Sequence, residues 1–244
     1  MKTGGRAMKN SFSIRIIGII AASILFAATS HAKVLLNDDF DSDKAGSFPT
    51  GWTLLYNGAG TSLQVVDKAH FVSAPNSLKL VGSQCWSADA YRTIAFPAPR
   101  PPAHLHVQVS GYIFVGERGT GGCTNVTAQF GLSNPSIGQW GWPYGGVIFG
   151  SDGFIYTTSA IVGSSAIGTK IGTYAINRWY NVSVDVDMTA LTCEISVDNE
   201  LLASGVPLPK TFAPHGINLG TGHGSNDPTI WYDNIVVRTP AVSE

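Results

Sequence analysis

The chain has 244 residues, 15 Lys+Arg against 16 Asp+Glu, a formal net charge of −1 and 28 glycines. A chain with no basic run is excluded as a nucleic-acid binder, where neutralising phosphates dominates affinity. Its length suits one all-β domain better than two.

Residues 1–32 read as a secretory signal. Lys2, Arg6, Lys9 and Arg15 form a basic start, "IIGIIAASILFAA" is the apolar stretch, and "SHA" sets small residues, Ser30 and Ala32, at the cleavage site. The apolar run is short for a membrane span, which needs roughly 20 apolar residues. Cleavage after Ala32 is expected. It would leave 212 residues of charge −5 with no span, in a secreted, periplasmic or cell-surface protein.

From residue 33 onward, short alternating runs are separated by Gly, Pro, Asn and Asp, and none has helical periodicity. "SQCWS" and "TGGCTN" are polar and turn-like. In an oxidising compartment, Cys85 and Cys123 are the pair expected to form a disulfide. "FPAPRPPAH" (96–104) is too proline-rich for an inner strand and reads as a stiff connector. "HLHVQVSGYIF" alternates Leu105, Val107 and Val109 against His104, His106, Gln108 and Ser110. "NVTAQFGL" sets Val126, Ala128 and Phe130 against Thr127 and Gln129.

In "GQWGWPYGG" (138–146), Trp140, Trp142 and Tyr144 share one side of an extended chain. They either face a ligand or pack inward, since the opposite side of Gln139, Gly141 and Pro143 forms a poor core. Trp86, beside Cys85, is a fourth candidate for the same ligand-facing edge. "GVIFGSDGFIYTT" is a hairpin turning at Ser-Asp-Gly. "RWYNVSVDVDM" alternates Tyr180, Val182, Val184 and Val186 against polar partners. "LTCEISVDNELL" turns at Asp198-Asn199 and sets Cys193 inward as a free thiol, and "TIWYDNIVV" is the final strand. One domain, residues 33–244, is predicted: an all-β, two-sheet antiparallel β-sandwich.

"DDFDSDKAGSFPTGW", "APNSLKL", "NRWYNVSVDVD", "CEISVDNELL" and "IWYDNIVV", in that order, resemble the laminin-G-like branch of the concanavalin A-like lectin/glucanase superfamily. The resemblance implies a secreted jelly roll that binds an extracellular polysaccharide or other glycan. It also implies a structural calcium joining the first and last strands. The matching residues are Asp39 and Asp233, beside Asp38 and Asp41, and oxygen ligands suit calcium. Because function lives in the site and not in the fold, the motifs support the architecture more than any activity.

The resemblance also implies glycosidase or polysaccharide lyase activity as alternatives, since some relatives of this fold have them. The paired-Glu strand motif of the glucanases is absent. Asp185 and Asp187 share a strand face at suitable spacing, but solvated strand-end Asp residues need no catalytic role. Proton abstraction beside a uronate carboxylate needs a base such as His or Tyr, with Arg or an amide to offset the developing charge. His104, His106 and Gln108 on one strand, with Tyr91 and Arg92 upstream, form the candidate set. The Arg-rich strand, Gln-x-His order and terminal Tyr/Lys motif of jelly-roll alginate lyases are absent. His215 and His223 have no metal-ligand spacing, and Ser225 lacks a nucleophile elbow. The sequence thus predicts a glycan-binding lectin-like domain, with a lyase or hydrolase of the same fold, or a structural adhesive protein, as alternatives.

Overall fold

A computed structural model describes residues 32–97, 105–120, 124–136, 143–158, 167–210, 213–222 and 226–239. The signal-like segment through residue 31, and His104, Cys123, Trp140, Trp142, His223 and Ser225, lie outside the described residues.

Among the described residues, fifteen strands build two antiparallel sheets. They are β1 (Lys33–Asp38), β2 (Thr53–Asn57), β3 (Val65–Asp67), β4 (Ser77–Val81), β5 (Ala88–Thr93), β6 (His106–Glu117), β7 (Val126–Ser133) and β8 (Gly145–Gly150). There follow β9 (Phe154–Thr158), β10 (Ile167–Thr173), β11 (Trp179–Asp187), β12 (Thr192–Val197), β13 (Glu200–Pro207), β14 (Gly216–Thr221) and β15 (Thr229–Thr239). The eight-stranded sheet runs β13-β12-β11-β6-β15-β4-β3, with β1 added against β15. The seven-stranded sheet runs β10-β9-β8-β7-β14-β5-β2. The only regular helix among the described residues is a single 3-10 turn, Thr61–Leu63.

Alternation builds the core. In β11, Tyr180, Val182, Val184 and Val186 are buried, while Asn181, Ser183, Asp185 and Asp187 are turned half outward. Val107, Val109, Ile113 and Val115 of β6 and Ala128, Phe130 and Leu132 of β7 meet them from both sheets. The β12–β13 hairpin turns at Asp198 and Asn199, with φ of 52° and 67°, and pairs Val197 with Glu200. Positive φ at both central residues is the turn whose twist matches paired strands. Cys193 is free and buried, its thiol pushed up to about 12 chiefly by burial. Cys85 is disulfide-bonded. Its expected partner, Cys123, falls outside the described residues.

One tyrosine ties the sheets together. Tyr232 of β15 is fully buried, and its hydroxyl reaches across the core to the carbonyls of Gln129 (2.9 Å) and Gly220 (2.6 Å). Buried Gln64 does a similar service at one edge. Its amide donates to the carbonyls of Asn57, Gly60 and Val81 and accepts from Val81 N–H, fixing the end of β2. A buried amide with its bonds made is rigid rather than costly.

Candidate functional site

Of the described lyase candidates, Tyr91 and Arg92 lie in one sheet and His106 and Gln108 in the other. β5 lies in the seven-stranded sheet and β6 in the eight-stranded one, so Tyr91 and the His106–Gln108 face are on different sheets. His106 sits between two carboxylates, with Nδ1 3.1 Å from Asp185 and Nε2 3.5 Å from Asp187. These groups and Glu194 border a shallow cavity of about 290 Å³, just under the ~300 Å³ floor of ordinary ligand pockets. Gln108 Oε1 accepts from Arg238 Nε at 2.6 Å. Arg92 donates to Asp38 Oδ2 at 2.7 Å, with its guanidinium 5.9 Å from the Trp52 ring.

Tyr144 corrects one expectation. It is 3% exposed and belongs to the hydrophobic core, so it packs inward and does not face a ligand. The glycines beside it, Gly145 and Gly146, open β8, a strand buried at every position, and so they do not mark a surface loop. Trp86 is on the surface, 39% exposed, edge-on to Tyr56 at 5.5 Å, with Nε1 donating to Asn57 Oδ1 at 3.1 Å.

The acidic residues proposed for calcium sit where three segments meet. Asp233 is buried, and burial raises its carboxyl despite N–H donors from Val72, Ser73 and Asn234. Asp39 Oδ1 accepts from Asp41 N–H and Asp41 Oδ1 from Asn76 N–H. Asn76 Oδ1 is buried without a partner. Among the described residues no three His, Cys, Asp or Glu side chains are gathered to hold a metal. Six to eight oxygens would therefore need amide and carbonyl donors as well as these carboxylates.

A different constellation occupies the outer face of the seven-stranded sheet. On β5, Ala88 and Ala90 point to the core, which turns Asp89, Tyr91 and Thr93 the other way. Antiparallel register then builds rungs. Asp89 pairs with Tyr56 on β2 and with Gly220 on β14, and Gly220 pairs with Gln129 on β7. Tyr91 pairs with Asn218, and Thr93 with Gly216, which pairs in turn with Ser133. The glycines are required here. A Cβ at Gly220 would fall 2.5 Å from Gln129 Nε2, and one at Gly216 would fall 2.7 Å from Tyr91 Oη.

Asp89 is wholly buried. Gln129 Nε2 donates to its Oδ1 at 2.7 Å and Ser87 Oγ to its Oδ2 at 3.0 Å. Burial pushes its carboxyl up to about 7 against the opposing effect of Gln129, Ser87 and the facing Asn218 amide. Asn218 nevertheless makes no bond of normal geometry: its Oδ1 and Nδ2, like Gln129 Oε1, are buried without a partner. Each such group costs about 1–3 kcal/mol unless water or a ligand satisfies it. The row opens at the Thr93 end into a cavity of about 480 Å³. Tyr91, Thr93, Phe96, Ser136, Pro214 and His215 are among its walls. That volume falls within the range of small-ligand sites, and its mix of apolar walls with few polar groups is the usual one. Ser136 directly precedes, in sequence, the segment carrying Trp140 and Trp142.

Sequence reasoning missed Asp89, Gln129 and Asn218. A signal existed in "ADAYRT", where alanines alternate with Asp and Tyr. No such signal marked "GINLG", whose glycines suggest a loop. One carboxyl without a second carboxylate or a metal does not make a hydrolytic pair. The row itself is sealed from solvent, and what a ligand can reach is the cavity walled by Tyr91, Thr93 and His215.

No protein-family model matches the chain, and no curated protein matches it. Solved structures share its fold. A sialidase aligns with a TM-score of 0.56 at 14% identity over 86% of this chain and 19% of its own. A structure on cell entry of botulinum neurotoxin type C through two ganglioside molecules aligns at 0.54 and 13% identity, over 86% of this chain and 48% of its own. The cellulose induced protein Cip1 aligns at 0.50 and 16% identity, over 83% and 96%. The chain spans about a fifth of the sialidase and about half of the neurotoxin chain. At these identities the likeness is one of fold, a two-sheet β-sandwich.

Proposed function

We propose that this protein is a secreted carbohydrate-binding β-sandwich that takes an extracellular glycan at the cavity beside Tyr91 and Thr93 of its seven-stranded sheet. The observation that carries the reading is the cavity of about 480 Å³ walled by Tyr91, Phe96, Ser136 and His215, with exposed Trp86 near the other end of β5. A sugar hydroxyl both donates and accepts, so it can bond the polar side chains of Thr93, Ser136 and His215 at the cavity wall in either sense. The flat C–H face of a pyranose suits an aromatic ring, and Tyr91 at the cavity and the exposed Trp86–Tyr56 pair at the other end of β5 supply such rings. Solved structures of the same fold include a sialidase, a cellulose induced protein and a neurotoxin structure whose title names ganglioside molecules, which favours this class of ligand. Secretion rests on the signal-like segment, and the laminin-G-like assignment on the motif resemblance.

A structural calcium at the junction of residues 39–41, 73–76 and 233 belongs to the same proposal. Asp39, Asp233 and the unpartnered Oδ1 of Asn76 would be among its ligands. Such an ion would brace the first strand against the last, away from the glycan cavity.

The test is titration of immobilised and soluble glycans against the full chain, with Tyr91→Ala and Trp86→Ala alongside. Binding that either variant weakens tenfold or more, about 1.4 kcal/mol, supports the reading. Binding that neither variant weakens places the ligand elsewhere.

A further inference from the structure

The walls of the cavity beside Tyr91 bear on which glycan enters it, an inference that rests on the site proposed above. Three chain segments meet there, and hydrogen bonds hold them in place. Ile94 N–H donates to the His215 carbonyl at 2.9 Å, and His215 N–H to the Ser133 carbonyl at 3.0 Å. Buried Asn134 donates from Nδ2 to the Ala213 carbonyl at 2.6 Å and accepts at Oδ1 from Ser136 N–H at 3.0 Å. The Tyr91 phenol lies across Gly216, where a Cβ would fall 2.7 Å from its oxygen. The cavity of about 480 Å³ is therefore built before any ligand arrives, and a preformed site loses little in ordering itself. Its walls are of two kinds. The side chains of Ile94, Phe96, Pro135 and Pro214 present only carbon. Thr93, Ser136 and His215 present hydroxyl and imidazole groups, and all three residues are exposed.

We infer that the glycan held here carries an acetyl group, its methyl against Ile94, Phe96, Pro135 and Pro214 and its carbonyl toward Thr93, Ser136 or His215. A bare ring hydroxyl pressed on the apolar walls would give up water without gaining a partner, which weakens binding. An acetyl group divides as the cavity does. Its methyl gains by leaving water, and its carbonyl oxygen accepts from a hydroxyl or an imidazole N–H. The pyranose that bears it keeps its C–H face for the Tyr91 ring. An acetyl ester on a sugar hydroxyl and an acetamide on an amino sugar share this chemistry.

The experiment is calorimetric titration of the full chain with two matched pairs of oligosaccharides. One pair is acetylated xylo-oligosaccharide and the same preparation after alkaline deacetylation, which probes the ester. The other is N-acetylchito-oligosaccharide and cello-oligosaccharide of equal length, which differ only at the second ring carbon and probe the amide. The expected result is at least tenfold tighter binding of the acetylated member in one pair, roughly the low end of what one alkyl group contributes in an apolar pocket. Equal binding within both pairs, or tighter binding of the unacetylated members, overturns the inference and leaves glycan binding intact. Failure of both pairs to bind while another glycan binds overturns it in the same way. Failure to bind any glycan overturns the site reading as well. Phe96→Ala is expected to shrink the acetyl preference at least threefold, and an unchanged preference in a folded variant overturns the placement of the methyl. The matched pairs on the unaltered chain decide the question even if that variant does not fold.

Discussion

A carboxyl wholly out of water, with two hydrogen-bond donors and no cation, is a liability unless something depends on it. Asp89 is such a group, and its cost varies with pH in a way that can be measured. Its folded value near 7 lies above the ordinary 3.8. Below about pH 4 the group is protonated in both folded and unfolded chains and costs nothing by this route. Between about 4 and 7 the unfolded chain releases its proton while the folded chain keeps it, so stability falls as pH rises. Above about 7 the loss is complete. The full effect is on the order of 4 kcal/mol. Asp89→Asn should therefore flatten the decline in thermal midpoint between pH 5 and pH 8. A variant with the same slope as the parent would show that Asp89 is not the titrating group. Tyr232→Phe offers a second check at this scale. Removing a hydroxyl bonded to two buried carbonyls should cost about 1–3 kcal/mol in denaturant titration.

Among the elements, β14 best shows what was and was not legible. β11 could be read directly, because Val182, Val184 and Val186 alternate with Ser183, Asp185 and Asp187. The Asp198-Asn199 turn announced itself through residues that tolerate positive φ. "GINLGT" reads as a loop, since Gly and Asn are turn formers, yet it is a central strand buried at all positions. Glycine is there because its neighbours' side chains lean over it, a reason that exists only once β5 and β7 flank it. Gly220→Ala would thrust a methyl group into Gln129 and Asp89. It should destabilise the fold by about 2 kcal/mol or more, read as a lowered denaturant midpoint. A midpoint unchanged within error would mean that the side chains can give way and the rung is looser than described.

For the molecule as a whole, alternation predicts strands but not which sheet each one joins. Tyr91 and His106 are 15 positions apart, and the switch of sheet between β5 and β6 sets them on different faces. No local pattern in "AYRT" or "HLHVQVS" encodes that switch. Likewise Tyr144 alternates with Trp142 in sequence but belongs to the core. The two ends of the sandwich also make a prediction. If an ion braces Asp39 to Asp233, a chelator should lower the thermal midpoint by several degrees and added calcium should restore it. An indifferent midpoint removes the ion.

The central claim is that the cavity walled by Tyr91 and Thr93 of β5 holds a glycan. Its most direct test is the affinity of the Tyr91→Ala chain, with its fold verified by circular dichroism, for whichever glycan the parent binds best. The account predicts at least a tenfold loss. An affinity equal to the parent's would contradict it.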